Sequence, residues 1–282
     1  MSAPEARHPP RLRVDVLTVG QGDAILIRAG RARWLFDTGP GGPFDPLVPH
    51  LLARGCRRLD RVYLSHGDLD HWGGIERLLA SGVAVDTLVL PERGLFPASF
   101  TAMLRAAPRH PVVLRSAAGW ERTLGAGVRA RLVHPIPGRE PLSDNNGSLG
   151  LMLEAERLTT SARDDSLAGR RLRILLIADL ERPGEEELLR YGLPAPVSLL
   201  QAGHHGSRTS SSDAWLDRLR PRLAFASLAE GNRFGFPHPE MSARYEARGI
   251  PLLRTDRDGA LAFELRGDRL GIEREATRRA VR

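Results

Sequence analysis

The stretch best suited to chemistry is residues 65–74, which read S-H-G-D-L-D-H-W-G-G. It holds four side chains of metal-binding type, His66, Asp68, Asp70 and His71. An apolar run typical of a buried strand precedes it, and apolar residues at helical spacing follow it. A turn between two rigid elements aims neighbouring side chains at one place. Because four adjacent ligands cannot all converge on one small ion, this spacing predicts a two-metal cluster.

The elements that would position such a cluster are interspersed strands and helices in two strand-rich halves. Three further polar segments lie next to apolar runs that predict strands: 144–148 (D-N-N-G-S) precedes such a run, whereas Asp179 and 203–210 (G-H-H-G-S-R-T-S) each follow one. Taken alone, each has a plain structural explanation: an Asx turn, a helix N-cap and a surface histidine pair. Their order after the 65–74 turn favours a functional role, since strand ends can bring distant side chains together.

Composition limits the alternatives. The chain has 282 residues, a length that suits one large domain or two small ones. Its 41 basic side chains are all arginine, and the net charge of +7 permits binding to an anionic polymer but equally fits a solvated surface. The single cysteine, Cys56, excludes an internal disulfide and a cysteine-based zinc site, and we expect it to be a structural helix residue.

No targeting signal is evident in the sequence. Residues 1–10 lack an apolar segment, and no apolar run is long enough to span a bilayer. We therefore expect a cytoplasmic location by default, or an extracytoplasmic one if the chain is part of a larger membrane protein.

Several motifs resemble one known family. The segment H-G-D-L-D-H at 66–71 is similar to the H-x-H-x-D-H signature of the metallo-β-lactamase superfamily, in the variant with Asp at the second His that ComEC-type competence proteins carry. Other blocks resemble the same proteins in the same order, namely T-V-G-Q-G-D-A-I-L-I, L-F-D-T-G, L-L-I-A-D-L-E, H-H-G-S and N-R-F-G-F-P-H-P-E. The chain departs from that pattern at Thr18, Ala178 and Phe236, where the family has Asp, Gly and often His.

The resemblance implies an α/β fold, a four-layer αββα sandwich. It covers about residues 12 to 265, so we expect one hydrolase domain at 11–266, a disordered tail at 1–10 and a charged, frayed tail at 267–282.

The resemblance also implies functional residues. Asp179 would bridge two metals, and His205 would bind metal while His204 serves the substrate or proton transfer, although the two histidines could be exchanged. The expected metal ligands are His66, Asp68, Asp70, His71, Asp179 and His205. The expected catalytic residues are Asp70 and His204. The expected substrate-binding residues are Asn145, Asn146, Ser207, Arg208 and His238.

Two divalent ions activate water and offset charge on a leaving group, so no serine or cysteine nucleophile is needed. Asp68 hardens the site, which favours Mn²⁺ or Mg²⁺ beside Zn²⁺. We therefore expect a phosphodiester hydrolase, most specifically a ComEC-like DNA nuclease that works with a metal-bound hydroxide, either alone or beside a membrane DNA channel. Two alternatives stay open: a hydrolase of a small phosphodiester or ester, similar to phosphocholine esterases, and a metal-stabilised binding module without turnover.

Overall fold

The computed structural model describes residues 10–156, 171–267 and 269–275. The predicted N-terminal tail, apart from Pro10, and the hairpin insertion predicted at 157–170 lie outside these residues.

Strands make up most of the regular structure and match the alternating apolar patterns of the sequence. In chain order they are β1 (Leu12–Val16), β2 (Ile25–Ala29), β3 (Ala32–Phe36), β4 (Arg58–Leu59), β5 (Arg61–Tyr63), β6 (Ala84–Val85), β7 (Thr87–Pro91), β8 (Val112–Ser116), β9 (Glu121–Gly125), β10 (Val128–His134), β11 (Gly150–Ala155), β12 (Leu172–Leu176), β13 (Leu199–Gln201), β14 (Leu223–Ala226), β15 (Leu252–Arg254), β16 (Leu261–Arg266) and β17 (Arg269–Arg274).

Within the residues that the structure describes, eight helices connect these strands. They are α1 (Leu47–Ala53), α2 (Leu69–Trp72), α3 (Ile75–Ala80), α4 (Ala98–Ala106), α5 (Arg182–Tyr191), α6 (Asp213–Leu219), α7 (Pro239–Glu246) and α8 (Thr255–Asp258). Two short 3-10 turns lie at Asn145–Gly147 and Gly203–Gly206.

The strands form two large mixed sheets. The first has the order β17-β16-β1-β2-β3-β5-β7-β8 and the second β15-β14-β13-β12-β11-β10-β9, while β4 and β6 form a small separate pair. Strands β3, β5, β7 and β8 run parallel, as do β12, β13, β14 and β15. Carboxyl ends of parallel strands meet at one edge, which is where α/β proteins usually place their sites.

The core explains the four layers. Alternate strand residues such as Trp34 and Phe36 pack between the two sheets, where Leu151, Leu176 and Phe263 meet them. The intervening residues face outward and are covered by helices: α1, α3 and α4 pack on the first sheet, and α5, α6 and α7 on the second. This arrangement confirms the predicted αββα sandwich.

Two local expectations were wrong, and one strand was missed. Cys56 is buried but follows α1 instead of lying in it. Strand β9 was not predicted, because E-R-T-L-G buries only Leu124 and shows no strand alternation. The segment after Arg266 is not wholly a frayed tail, since Arg269–Arg274 pairs with β16 along its length.

Candidate metal centre

The predicted ligands meet at the carboxyl ends of strands from both sheets. Strand β5 leads into His66 and the α2 turn, which carries Asp68, Asp70 and His71. In the second sheet, β12 leads to Asp179 and β13 to the two neighbouring histidines, 204 and 205. All six predicted metal ligands are thus brought to one edge of the sandwich.

Asp179 lies between two groups of these side chains and is 2% exposed. Its Oδ1 is 3.2 Å from His71 Nε2 and 3.4 Å from His205 Nε2. Its Oδ2 faces the other way, 4.0 Å from His66 Nε2 and 3.6 Å from His204 Nε2. Each carboxylate oxygen therefore faces a different pair of imidazoles, the geometry that a bridging ligand needs.

The three buried histidines all present Nε2 to this centre. His71 Nδ1 donates to Asp37 Oδ2 at 2.8 Å, and His205 Nδ1 donates to the Ser227 carbonyl at 3.0 Å. His66 Nδ1 donates at 2.9 Å to Ser65 Oγ, which itself donates to Asp37 at 2.7 Å. Because Nδ1 carries the proton in each neutral ring, Nε2 is left with a lone pair, as in metal-binding histidines.

The spacing and burial of these atoms fit a metal ion. Two ligand atoms each about 2.1 Å from a tetrahedral ion are about 3.4 Å apart. The Nε2 atoms of His71 and His205 are 3.3 Å apart, and His205 Nε2 is 3.5 Å from Asp70 Oδ2. His66 Nε2 and Asp179 Oδ1 are buried without a hydrogen-bond partner among the described residues. A cation would satisfy these atoms, so the fold and the buried Asp/His cluster indicate divalent metal binding.

Electrostatics point the same way. Burial tends to raise the pKa of Asp179, but the nearby charges of His71 and His205 outweigh it and lower the pKa well below its usual value. Burial tends to lower the pKa of His205, but Asp179 and Asp23 outweigh it and raise the pKa to about 9. In this protein the buried carboxylates attract positive charge, which either protons or metal ions can supply.

The backbone is strained around the same residues. Asp37, Ala178, His204 and His205 have φ values of 59°, 45°, 45° and 51°, a region that residues other than glycine rarely adopt. At Ala178 this value accounts for the glycine of the family pattern. Such strain persists only where the surrounding structure enforces it, and it is typical of functional sites.

Two acidic residues near the centre were missed by sequence reasoning. Asp23 is buried, its Oδ2 accepts from Gln201 Nε2 at 2.7 Å, and it groups with His71, Asp179 and His205 within 4.8 Å. Glu181 follows Asp179 by two residues and directly precedes α5. Both lie inside motifs that resemble the family, T-V-G-Q-G-D and L-L-I-A-D-L-E. Their place in these motifs was the feature of the sequence that could have identified them.

His204 lies at the margin of the centre and is more open than its neighbour. Its side chain is 25% exposed, against 2% for His205. Its Nδ1 donates to Glu181 Oε1 at 3.2 Å, which leaves Nε2 as the lone-pair atom that faces Asp179. Glu181 Oε1 also accepts from Thr209 Oγ1 at 2.5 Å. Glu181 thereby fixes the ring of His204, and α5 starts at the next residue, so Asp179 is not its N-cap.

Of the predicted substrate-binding residues, Asn145 lies beside the histidine pair, its amide nitrogen 3.4 Å from His204 Nδ1. Asn146 is buried, its Oδ1 accepts from Gly184 N at 2.9 Å, and its Nδ2 donates to Ser143 Oγ at 2.8 Å. Its amide is therefore engaged within the protein. A substrate role for Asn146 stays a prediction, and the hydrogen bonds of its amide nitrogen and oxygen within the protein do not support it.

The remaining predicted contacts lie beside the histidine pair. Ser207 Oγ and Thr209 Oγ1 are 2.8 Å apart. Arg208 is exposed, and its side chain has no ion pair with any described residue. His238 is tied to the same turn, since its backbone N donates to Gly206 O at 2.8 Å, and its Nδ1 accepts from Glu240 N as the N-cap of α7. Their substrate roles stay predictions.

The fold and the site define a class of protein. The chain belongs to the metallo-beta-lactamase superfamily, which it matches over residues 17–229. This confirms the predicted family, and the chain is a metallo-hydrolase of that superfamily.

More particular relatives are two longer bacterial proteins, one of which is named as a competence protein. The chain is 34% identical to "Competence protein ComA" of Neisseria gonorrhoeae over 264 residues, which covers 93% of this chain and 33% of that protein. It is 28% identical to "ComE operon protein 3" of Bacillus subtilis (strain 168) over 268 residues, covering 89% of this chain and 32% of that protein. The chain thus spans about a third of the length of these relatives.

Solved structures confirm the fold. A diphosphatase of the PhnP family superposes with a TM-score of 0.54 at 15% identity, and the match covers 93% of this chain and 100% of the diphosphatase chain. In the described part of the chain, no helix combines the length and apolar character required to cross a bilayer.

Proposed function

We propose that the chain hydrolyses phosphodiesters, with DNA as its substrate, at a centre of two divalent cations. The observation that carries the proposal is the position of Asp179, whose two carboxylate oxygens face two different groups of buried ligand atoms. A phosphodiester is anionic, and its oxygens suit such a centre.

Two sets of ligands follow from the geometry. His66, Asp68 and Asp179 Oδ2 would hold one cation, since Asp68 Oδ2 lies 3.4 Å from His66 Nε2. Asp70, His71, His205 and Asp179 Oδ1 would hold the other. Bound divalent cations supply Lewis acidity, which polarises a phosphoryl oxygen and makes a water more acidic. Three of the six ligand residues in the two sets are aspartates, and these hard oxygen ligands favour Mn²⁺ or Mg²⁺ beside Zn²⁺.

The chain's own residues hold and move the protons. His204 keeps its proton on Nδ1 through Glu181, so its Nε2 is available to exchange a proton with the substrate or leaving group. Asp70 is buried less than Asp179, with a third of its side chain exposed, and its carboxylate faces His205. This position suits a ligand that also orients the attacking group.

Substrate contacts are assigned to the turn beside the histidine pair. Asn145 offers an amide next to His204, and Ser207 offers a hydroxyl. Arg208 and His238 supply charge and a ring nitrogen near the same turn, where a phosphate of the substrate would be held by charge-assisted bonds.

The choice of DNA comes from the relatives and the charge. One relative is named as a competence protein, and resemblance to ComEC-type proteins implies degradation of DNA linked to uptake of the other strand. The net charge of +7 permits binding to a polyanion. We accordingly propose that the chain works beside a membrane DNA channel.

The test is incubation of the purified protein with labelled single-stranded and double-stranded DNA in Mn²⁺, Mg²⁺ or Zn²⁺. Cleavage is expected with at least one metal and none in EDTA. The matched control is Asp179→Asn, which keeps the size of the side chain but removes the charge that would bridge the cations.

We expect Asp179→Asn to lose at least a hundredfold in rate while its circular dichroism stays that of the wild type. Wild-type rates in this variant would refute the bridging role. Hydrolysis of bis-p-nitrophenyl phosphate without any cleavage of DNA would instead assign the chain to small phosphodiesters.

A further inference from the structure

A second polar cavity lies at the opposite end of the sandwich from the metal centre. It has a volume of about 360 Å³ and is lined by the starts of β3, β5 and β7 together with β9. Strand β3 runs from this cavity to Asp37, a distance of roughly 15 Å along the strand. The cavity is therefore separate from the metal ligands.

Its charged side chains are unequally paired. Arg31, Arg61 and Arg122 line the cavity, and none of them forms an ion pair within the residues that the structure describes. Of the two acidic side chains of the wall, Asp86 pairs with Arg58, Oδ2 to Nη2 at 2.8 Å. Asp60 Oδ2 accepts from the neutral backbone N of Arg33 at 2.7 Å and keeps its charge. The three guanidinium groups therefore outnumber the one carboxylate that no other cation pairs with, and the cavity has an excess of positive charge.

Arg61 is held in place by aromatic rings. Its guanidinium carbon lies 4.8 Å from the ring centre of Trp120 and 6.0 Å from that of Trp34. These rings pack on each other at 5.8 Å, and on Tyr63. Because the stacked guanidinium is pre-organised, it loses little conformational freedom when it binds a ligand.

Two arginines of the wall, Arg61 and Arg122, lie close to one another. Tyr63 is fully buried and is not one of the residues that line the cavity. Burial raises the pKa of Tyr63, but the charge of Arg61, a hydrogen bond from Arg61 to the hydroxyl and the charge of Arg122 oppose the rise, so both guanidinium groups lie near this hydroxyl. An oxyanion in the cavity would therefore meet two neighbouring cations.

We propose that this cavity binds the phosphate group of a small phosphorylated molecule. Arg61 and Arg122 hold the phosphoryl oxygens through charge-assisted hydrogen bonds, and Arg31 closes the mouth from the β2–β3 hairpin. A volume of about 360 Å³ accommodates a mononucleotide as well as free phosphate. The proposal does not depend on the reaction at the metal centre.

The experiment is isothermal titration of the purified protein with inorganic phosphate and, separately, with AMP, at low ionic strength. The variants are Arg61→Gln and Arg122→Gln. The matched control is Arg57→Gln, because Arg57 is also exposed and cationic but does not line the cavity. Any phosphate that binds at the metal centre is common to all four proteins and does not alter the comparison.

We expect both cavity variants to bind phosphate at least tenfold more weakly than wild type, and the control to bind as wild type does. Arg122 is exposed, so its variant folds even if Arg61→Gln is destabilised, which thermal unfolding will show. Tighter binding of AMP than of phosphate assigns a nucleotide, and equal affinity assigns the phosphate group alone. Equal affinity in all four proteins, or equal weakening by Arg57→Gln, overturns the proposal.

Discussion

Each buried histidine of the centre has its ring orientation fixed by hydrogen bonding at Nδ1. Asp37 holds His71, and the Ser227 carbonyl holds His205. The neighbouring His204 is held by Glu181 and is more exposed. Two adjacent residues in the sequence therefore have different environments, and this difference supports the different roles that we propose for them.

The first prediction separates these two histidines. His205→Ala is expected to lose bound metal, because it removes a buried ligand atom next to Asp70 and Asp179. His204→Ala is expected to keep its metal but to hydrolyse DNA at least tenfold more slowly. Metal content by mass spectrometry and initial rates measure both effects. An empty centre in His204→Ala would show that the roles are exchanged.

The second prediction concerns pH in the chelated protein. Burial tends to lower the pKa of His205, but the nearby carboxylates raise it from 6.5 to about 9. A raised pKa in the folded state stabilises the fold below the unfolded value, and this stability is lost as pH rises through the folded value. The melting temperature in EDTA should therefore fall between pH 6.5 and about 9.

The matched variant for this test is His205→Gln, which keeps a polar side chain but does not titrate. Its melting temperature should fall less over the same interval. A wild-type melting temperature that stays level or rises across this interval would contradict the prediction.

At the scale of elements, the ligand-bearing turn is held by close backbone packing. A Cβ atom on Gly73 would lie 2.1 Å from Pro40 O and 2.7 Å from Leu69 O. These contacts join the end of α2 to the loop after β3. The turn therefore tolerates no side chain at this position, which places Asp70 and His71 firmly against the first sheet.

The third prediction follows. Gly73→Ala should destabilise the protein by about 1–3 kcal/mol, the usual cost of overpacking, and should weaken metal retention. Gly82→Ala is the control, since a Cβ there meets nothing within 4 Å. Chemical denaturation and metal content measure the two effects. Equal stability of the two variants would show that the turn can shift without cost.

Sequence patterns predicted the elements that carry the site better than those at the edges. Apolar runs that end in Asp or His residues located β5, β12 and β13 and their ligands. Strands β9 and β17 were missed because they are charged edge strands with few buried residues. Asp23 and Glu181 were missed because their roles depend on hydrogen bonds to residues distant in the sequence, Gln201 and Thr209.

At the scale of the whole molecule, the net charge of +7 bears on substrate length. The fourth prediction is that DNA binding weakens steeply between roughly 50 and 200 mM salt, because each neutralised phosphate releases counterions. Filter binding to a catalytically inactive Asp179→Asn protein measures it. The control is hydrolysis of bis-p-nitrophenyl phosphate by the wild-type protein. This substrate has one phosphate, so its rate of hydrolysis should change little over the same range of salt. Parallel salt responses would contradict binding to an extended polyanion.

Asp179 and His205 are contributed by one sheet, whereas His66 and His71 are contributed by the other. Cations held among them would act as cross-links between the two halves of the sandwich, and ligands that bind only the native state stabilise it. Metal supply would therefore govern how long the folded chain survives as well as how fast it works.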